Sequence, residues 1–76
     1  MMSHMIGMNL AHVIAQRNGC KLTGESAPGS ATYYAVFKRG EVEVGRTMVE
    51  KFDASGFECV SMNALHRIFP ADRLVD

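Results

Sequence analysis

The stretch 31–49 constrains the fold most, because its pattern predicts two strands joined by a tight turn. Residues 31–37 are rich in aromatic and β-branched side chains, and residues 41–44 alternate glutamate with valine at the period of a strand. The connecting Lys-Arg-Gly-Glu segment carries charge and a glycine, which can adopt the positive φ of a tight turn. We therefore predict an antiparallel hairpin, with Val42 and Val44 in the core and the glutamates in water.

Composition indicates one small soluble domain. The 76-residue chain is 47% hydrophobic and 21% charged, which disfavours disorder, and it has no apolar run long enough to cross a bilayer. A chain of this size buries only about 60% of the surface of its unfolded form, so we expect marginal stability. Eight basic residues balance eight acidic ones, so the net charge provides no attraction to nucleic acid or anionic lipid.

The two cysteines indicate a reducing compartment, which we take to be the cytoplasm. Cys20 and Cys59 are far apart and outside any paired motif, as is typical of small apolar thiols. One bridge between them remains an open alternative. The beginning of the chain lacks the basic and apolar segments of a secretory signal. We expect residues 1–8 to be flexible, and we leave Met1–Met5 out of the functional argument because they resemble a tag remnant.

Two helices are predicted, one before the hairpin in the sequence and one after it. The first spans Leu10–Asn18, with Asn9 as its N-cap. The second spans Met62–Phe69, is capped by Ser61 and ends before Pro70. Both are too short to be stable alone, so their apolar stripes must pack on the sheet.

The segments between these elements predict shorter ones. Residues 57–60 predict a third main strand, residues 20–22 a short edge strand, and the run 24–30 a surface loop. Residues 47–50 fit a helix capping box, which favours a helix over Met48–Ala54. The alternative is that the second strand of the hairpin continues through this segment.

Together these elements predict an α+β fold, in which a small antiparallel sheet of about three strands packs against an N-terminal and a C-terminal helix. The tail is expected to place Leu74 and Val75 against the same core. The predicted core consists of the apolar residues that face inward from these elements: Leu10, Val13, Ile14, Val42, Val44, Cys59, Leu65, Ile68 and Phe69.

The chain carries no motif that assigns a catalytic residue, a cofactor or a metal. Glutamates that alternate with valines normally lie on the solvent-exposed face of a sheet and do not form a catalytic pair. A nucleophile elbow, an HExxH pair and a dinucleotide fingerprint are all missing from the sequence. We therefore expect a protein that is not an enzyme and binds no cofactor. The possible zinc ligands are not spaced as zinc sites require: His4, His12, His66, Cys20 and Cys59.

The order of elements, a helix, an antiparallel sheet and a closing helix, resembles double-stranded-RNA-binding folds and small mRNA-cleaving toxins. In those toxins a histidine near the start of a sheet strand carries the chemistry, whereas residues 29–32 here are Gly-Ser-Ala-Thr. The RNA-binding fold has a basic cluster at the start of its last helix, whereas residues 61–63 here are neutral. The resemblance therefore covers element order and assigns no catalytic residue.

The hypothesis that these observations favour is a non-catalytic interaction or regulatory module. Both faces of the strand 31–37 carry apolar side chains. Exposed apolar area on a small domain usually meets a partner. We expect a protein partner or a homodimer, formed through an edge strand or the aromatic outer face, and no membrane association.

The alternative is a weak RNA- or DNA-binding domain. Basic residues cluster at and after the hairpin turn, and neighbouring aromatic side chains could stack on unpaired bases. Zero net charge argues against strong binding. The residues assigned to this alternative site are Lys38, Arg39, Arg46, Tyr33 and Tyr34.

If nucleic acid binds at the hairpin, the Lys38→Glu, Arg39→Glu double variant should abolish binding without unfolding the domain, because charges at a turn add little to stability. With about three cations and a salt slope near −0.7 per contact on single strands, the wild-type affinity should be micromolar at best and should fall steeply with salt. A titration with single-stranded RNA at low salt, followed by backbone NMR, checks this. Unchanged chemical shifts at the hairpin tip would contradict the hypothesis.

Overall fold

The computed structural model of the protein describes residues 4–29, 31–51 and 56–70, and it confirms the α+β class. The predicted tail contacts of Leu74 and Val75 lie outside these residues. The prediction of one sheet of about three strands is corrected: in the described part, two helices accompany two three-stranded antiparallel sheets, and the strand predicted over residues 57–60 does not pair with the hairpin. In chain order the elements are β1 (Met5–Gly7), α1 (Met8–Arg17), β2 (Lys21–Ser26), β3 (Tyr33–Arg39), β4 (Val42–Met48), β5 (Glu50–Lys51), β6 (Glu58–Ser61) and α2 (Met62–Ile68).

At one place the chain passes from one sheet to the other through a single residue. The main sheet has the order β2-β3-β4, and the small sheet has the order β1-β6-β5. Only Val49 separates β4 from β5, and its N–H donates to the carbonyl of Tyr33 in β3 at 2.8 Å. The chain therefore passes from one sheet into the other without a loop. Residues 5–7, expected to be flexible, form β1 and pair with β6.

The predicted hairpin is confirmed, but its second strand contains a bulge. β3 pairs Phe37 with Gly45, and the register then shifts, which leaves Val44 as an extra residue. Val44 is half-buried and packs against the core. Val42 is 65% exposed rather than buried as predicted. The bulge breaks the alternation of the strand, and residues 39–43 at the hairpin tip are all exposed.

The core lies between the helices and the inner face of the main sheet, which is the face that carries Ala35 and Phe37. Phe37 packs edge-on against Phe69, with ring centroids 5.5 Å apart and ring planes at 89°. Of the predicted core residues, those buried here are Ile14, Cys59, Leu65 and Phe69, and those half-buried against the core are Val44 and Ile68.

The first helix presents a different face to the core from the one predicted. It begins at Met8 with Gly7 at the N-cap position, so Asn9 lies inside the first turn. Leu10 is 47% exposed and Val13 is 42% exposed, although both were predicted to be buried. Small side chains allow close packing of the helix against the sheets, and the prediction gave weight to the larger apolar residues instead. The residues that α1 buries are Ala11, Ile14 and Ala15.

The last helix agrees with its prediction to within one residue. α2 ends at Ile68, and Phe69 follows with non-helical backbone angles ahead of Pro70. The Oγ of Ser61 accepts a hydrogen bond from the N–H of Asn63 at 3.1 Å, as expected of an N-cap.

The segment after β4 is a strand rather than the helix that the sequence favoured over Met48–Ala54. The described part of that range, residues 48–51, is extended except for the linking valine. β5 pairs with β6, and the Sγ of Cys59 donates to the carbonyl of Glu50 at 3.4 Å. Pairing with both sheets overrides the local helix signal. Residues 52–55 lie outside the described residues.

β2 is longer than predicted. The surface loop was expected over residues 24–30, but the strand continues through Ser26 and the chain leaves the sheet only at Ala27. A strand normally disfavours glycine. Here the hydroxyl of Tyr33 lies where a Cβ on Gly24 would be, so the ring covers the glycine position and a larger residue would have to displace it.

Replacing Leu65 by alanine should lower the free energy of unfolding by about 2–5 kcal/mol, because the side chain is completely buried and its loss leaves a cavity. The matched control is Leu10→Ala, also in a helix but 47% exposed, which should change the free energy of unfolding by less than about 1 kcal/mol. Urea unfolding of the two variants measures both values. Equal losses would contradict the packing described for the two helices.

Candidate interaction surface

The basic and aromatic residues assigned to a nucleic-acid site lie on two different faces of the main sheet. Side chains alternate along β3, so Tyr33 lies on the inner face while Tyr34 and Lys38 share the outer face. The Nη2 of Arg39 donates to the carbonyl of Asn18, at the end of α1, at 2.9 Å. The assigned residues therefore do not form one continuous surface.

Arg46 is the centre of a polar cluster on the outer face of the main sheet. Its Nε and Nη2 donate to the two carboxylate oxygens of Glu43 at 2.8 Å and 2.7 Å. Its Nη1 lies 3.1 Å from Oε1 of Glu25 in β2, and its Cζ lies 5.6 Å from the centre of the Tyr34 ring. One guanidinium thus bridges β2 and β4 across β3.

These contacts change the ionisation of both partners. The hydrogen bond from Arg46 lowers the pKa of Glu43, and the hydrogen bond to Glu43 raises the pKa of Arg46 further above its usual value. Both side chains are partly exposed, so the pair adds little to stability. Its main effect is that two carboxylates of the same sheet compensate the charge of Arg46.

The polar cluster covers most of the aromatic area of the outer face. Tyr34 is half-buried beneath Arg46. Val36 shares this face with Tyr34 and lies opposite Arg46 in the ladder, and it is completely buried. Tyr33 lies on the other face, over Gly24. The aromatic outer face that the sequence suggested as a partner surface is therefore largely occupied by side chains of the chain itself.

The outer edge of the main sheet is β2, and its register determines which backbone groups point outward. Bonded and non-bonded residue pairs alternate along an antiparallel ladder. The N–H of Ala27 donates to the carbonyl of Thr32 at 3.0 Å, one step beyond the pair Ser26 and Tyr33. Ala27 and Thr32 are therefore a bonded pair. It follows that the N–H and C=O groups that point away from β3 belong to Leu22, Gly24 and Ser26.

β2 is the most open edge in the described part of the chain. It has six residues in regular register and no proline. β1 has only three residues and β5 only two. β4 is bulged, and α2 packs so closely on it that a Cβ on Gly45 would lie 2.6 Å from Cγ1 of Ile68. Short or bulged edges resist pairing with another chain, whereas a regular edge such as β2 permits it.

A groove of about 360 Å³ runs beside the first half of β2, between that strand and α1. It places apolar and polar side chains next to the outward backbone groups. Its lining residues are His12, Gln16, Cys20, Lys21 and Leu22. A second cavity, of about 260 Å³, lies at the beginning of α1 and is bordered by Phe57 and Glu58.

The residues with metal-binding or nucleophilic side chains do not converge. Within residues 4–29, 31–51 and 56–70, no three His, Cys, Asp or Glu side chains form a group that could hold a metal ion. Both cysteines are free and buried, so the alternative of a disulfide is not realised. The Sγ of Cys20 donates to the carbonyl of Asn18 at 3.5 Å.

The residues that make β2 an open edge are not predicted from the sequence. The loop predicted over residues 24–30 includes Glu25, so the contact between Glu25 and Arg46 is not predicted. The alternation of Lys21, Thr23 and Glu25 on one face was the signal that could have extended the strand.

Comparison with known proteins does not define a class for this chain. No family model matches it, and no curated protein or solved structure matches it. In the part of the chain that the structure describes, no helix is long and apolar enough to span a membrane.

Replacing Arg46 by glutamine should return the pKa of Glu43 toward its ordinary value, because Arg46 supplies the hydrogen bond and the nearest positive charge. The pKa of Glu43 is lowered in the folded state. The ion pair therefore stabilises the fold above the ordinary carboxyl pKa, and this contribution is lost as the pH falls through the lowered value. NMR titration of the side-chain carboxyl carbons measures the change.

The matched control for that titration is Arg39→Gln. Arg39 donates to Asn18 rather than to a carboxylate, so its removal should leave the titration of Glu43 unchanged. A Glu43 pKa that is the same with and without Arg46 would contradict the described cluster.

Proposed function

We propose that the protein is a non-catalytic interaction module that binds an extended segment of a partner protein along the open edge of β2. The observation that carries this proposal is the row of outward N–H and C=O groups on Leu22, Gly24 and Ser26. A strand added to an exposed sheet edge is a common mode of peptide recognition, in which backbone hydrogen bonds supply affinity and side-chain pockets supply specificity.

The energetics require side-chain contacts in addition to backbone pairing. Three N–H and three C=O groups allow about six hydrogen bonds, each worth roughly 0.5–1.5 kcal/mol net. Association costs roughly 4–15 kcal/mol in lost freedom. Backbone bonds alone therefore give weak binding. The groove beside β2 can supply the missing contacts, since Cys20 and Leu22 offer apolar area and His12 and Gln16 offer polar groups.

The placement of the cations favours a protein partner over nucleic acid. Arg46 is paired with Glu43 and Glu25, and Arg39 is bonded to the end of α1. Phosphate binding would have to break these contacts in a chain of zero net charge. An extended protein segment at β2 would leave them intact, apart from adding neighbours to Glu25.

A photo-crosslinking amino acid at Ser26, in the full chain expressed in its source cells, tests the proposal. Ser26 is exposed and lies on the open edge, so irradiation should give covalent adducts that contain protein and resist nuclease. The matched control is the same amino acid at Glu41, which is exposed in the turn between β3 and β4, outside β2, and should give no such adduct. Equal adducts at both positions, or adducts at Ser26 that nuclease removes, would contradict the proposal.

A further inference from the structure

We infer that the segment bound along β2 is β2 of a second copy of this chain, and this inference rests on the function proposed above. The two strands would run antiparallel about a two-fold axis at Thr23, so that Lys21 of each copy faces Glu25 of the other. The result is an isologous dimer with one continuous sheet across the two copies.

The two-fold symmetry and the backbone pattern leave two central registers. Outward groups must face outward groups, so the pairs that exchange backbone hydrogen bonds must be drawn from residues 22, 24 and 26 of the two copies. An axis at Thr23 pairs Leu22 with Gly24 of the second copy twice, and it leaves Ser26 opposite Cys20, whose N–H already donates to the carbonyl of Ala15 at 2.8 Å. An axis at Gly24 places Gly24 opposite itself and Leu22 opposite Ser26.

The axis at Gly24 allows six backbone hydrogen bonds and the axis at Thr23 allows four, but only the axis at Thr23 gives the charged side chains of β2 opposite charges as partners. Lys21 and Glu25 are both exposed, and in this register they lie directly opposite each other twice in the dimer. Glu25 uses Oε1 to contact Arg46, which leaves Oε2 to accept from Lys21 of the second copy. With the axis at Gly24, Lys21 would lie opposite Ala27 and would gain no partner.

The side chains of β2 also fit the groove in this register. The strand of the second copy would place Gly24 opposite Leu22 and Ser26 opposite Cys20, next to the groove between β2 and α1. Glycine and serine are small enough to pass along a groove of about 360 Å³ that is bordered by side chains of α1. β2 of one copy therefore provides the open edge, and β2 of the other copy provides the segment whose small side chains fit beside that edge.

The test is the mass of the purified full chain by sedimentation equilibrium across a concentration series. The wild type should dimerise reversibly. Lys21→Glu and Glu25→Lys should each weaken dimerisation by at least about tenfold, because each places like charges opposite each other twice. An equimolar mixture of the two variants should dimerise again, because every cross-strand pair is then of opposite charge. Circular dichroism verifies that each variant is folded.

The matched control for the charge reversals is Glu41→Lys, a change of the same type at an exposed position outside β2. It should leave the dimerisation constant unchanged. A wild type that remains monomeric at all concentrations would overturn the inference. So would a dimer that the two single charge reversals do not weaken.

Cysteine at Thr23 tests the register independently. Two residues on the axis lie within disulfide distance, so Thr23→Cys should form a covalent dimer on mild oxidation. Ser26→Cys should not, because the two copies of residue 26 lie at opposite ends of the paired strands. A disulfide through Ser26→Cys in place of Thr23→Cys would overturn the register.

Failure of this inference can be distinguished from failure of the proposed function. A monomeric purified chain that still forms protein adducts through Ser26 in cells, at a mass other than twice its own, would overturn the homodimer and leave the proposed edge binding in place. Loss of the adducts at Ser26 as well would overturn both.

Discussion

The hydrogen bonds of β3 are the constraint on which the rest of the molecule depends. The hydrogen bond from Val49 to Tyr33 shows that the backbone groups of Tyr33, and of every second residue after it in β3, point toward β4. The bond from Ala27 to Thr32 shows that the backbone groups of Tyr34, and of every second residue after it, point toward β2. The two assignments agree, so the central strand is saturated on both sides. This alternation determines which side chains enter the core, which residues surround Arg46, and which groups of β2 remain unpaired.

The elements that the sequence predicted well are those whose signals are local. The hairpin has two-residue periodicity and a glycine turn, and α2 has a serine cap and a following proline, so few distant contacts are needed to specify them. The errors arise where tertiary contacts decide. A bulge at one residue sends Val44 inward and leaves Val42 exposed, and α1 packs through alanines rather than through Leu10 and Val13.

The candidate surface was only partly accessible from the sequence for the same reason. Lys38, Arg39 and Arg46 are close together in the chain, which suggested one basic patch. The sheet separates them, because Arg46 reaches over β3 to Glu25 and Arg39 reaches the end of α1. The sequence predicted that an edge strand would bind a partner. Which backbone groups of β2 point outward, however, depends on its register with β3, and the sequence of β2 alone does not specify that register.

The position of Val49 has a consequence for how the fold opens. Because β4 and β5 are parts of one nearly continuous extended segment, the backbone pairing forms a series from β2 through β3, β4 and β5 to β6 and β1. The helix α1 joins the two ends of that series, since it follows β1 and precedes β2. Separating any two neighbouring elements therefore disturbs the contacts of all the others. The main sheet and the small sheet should thus unfold together as one cooperative unit.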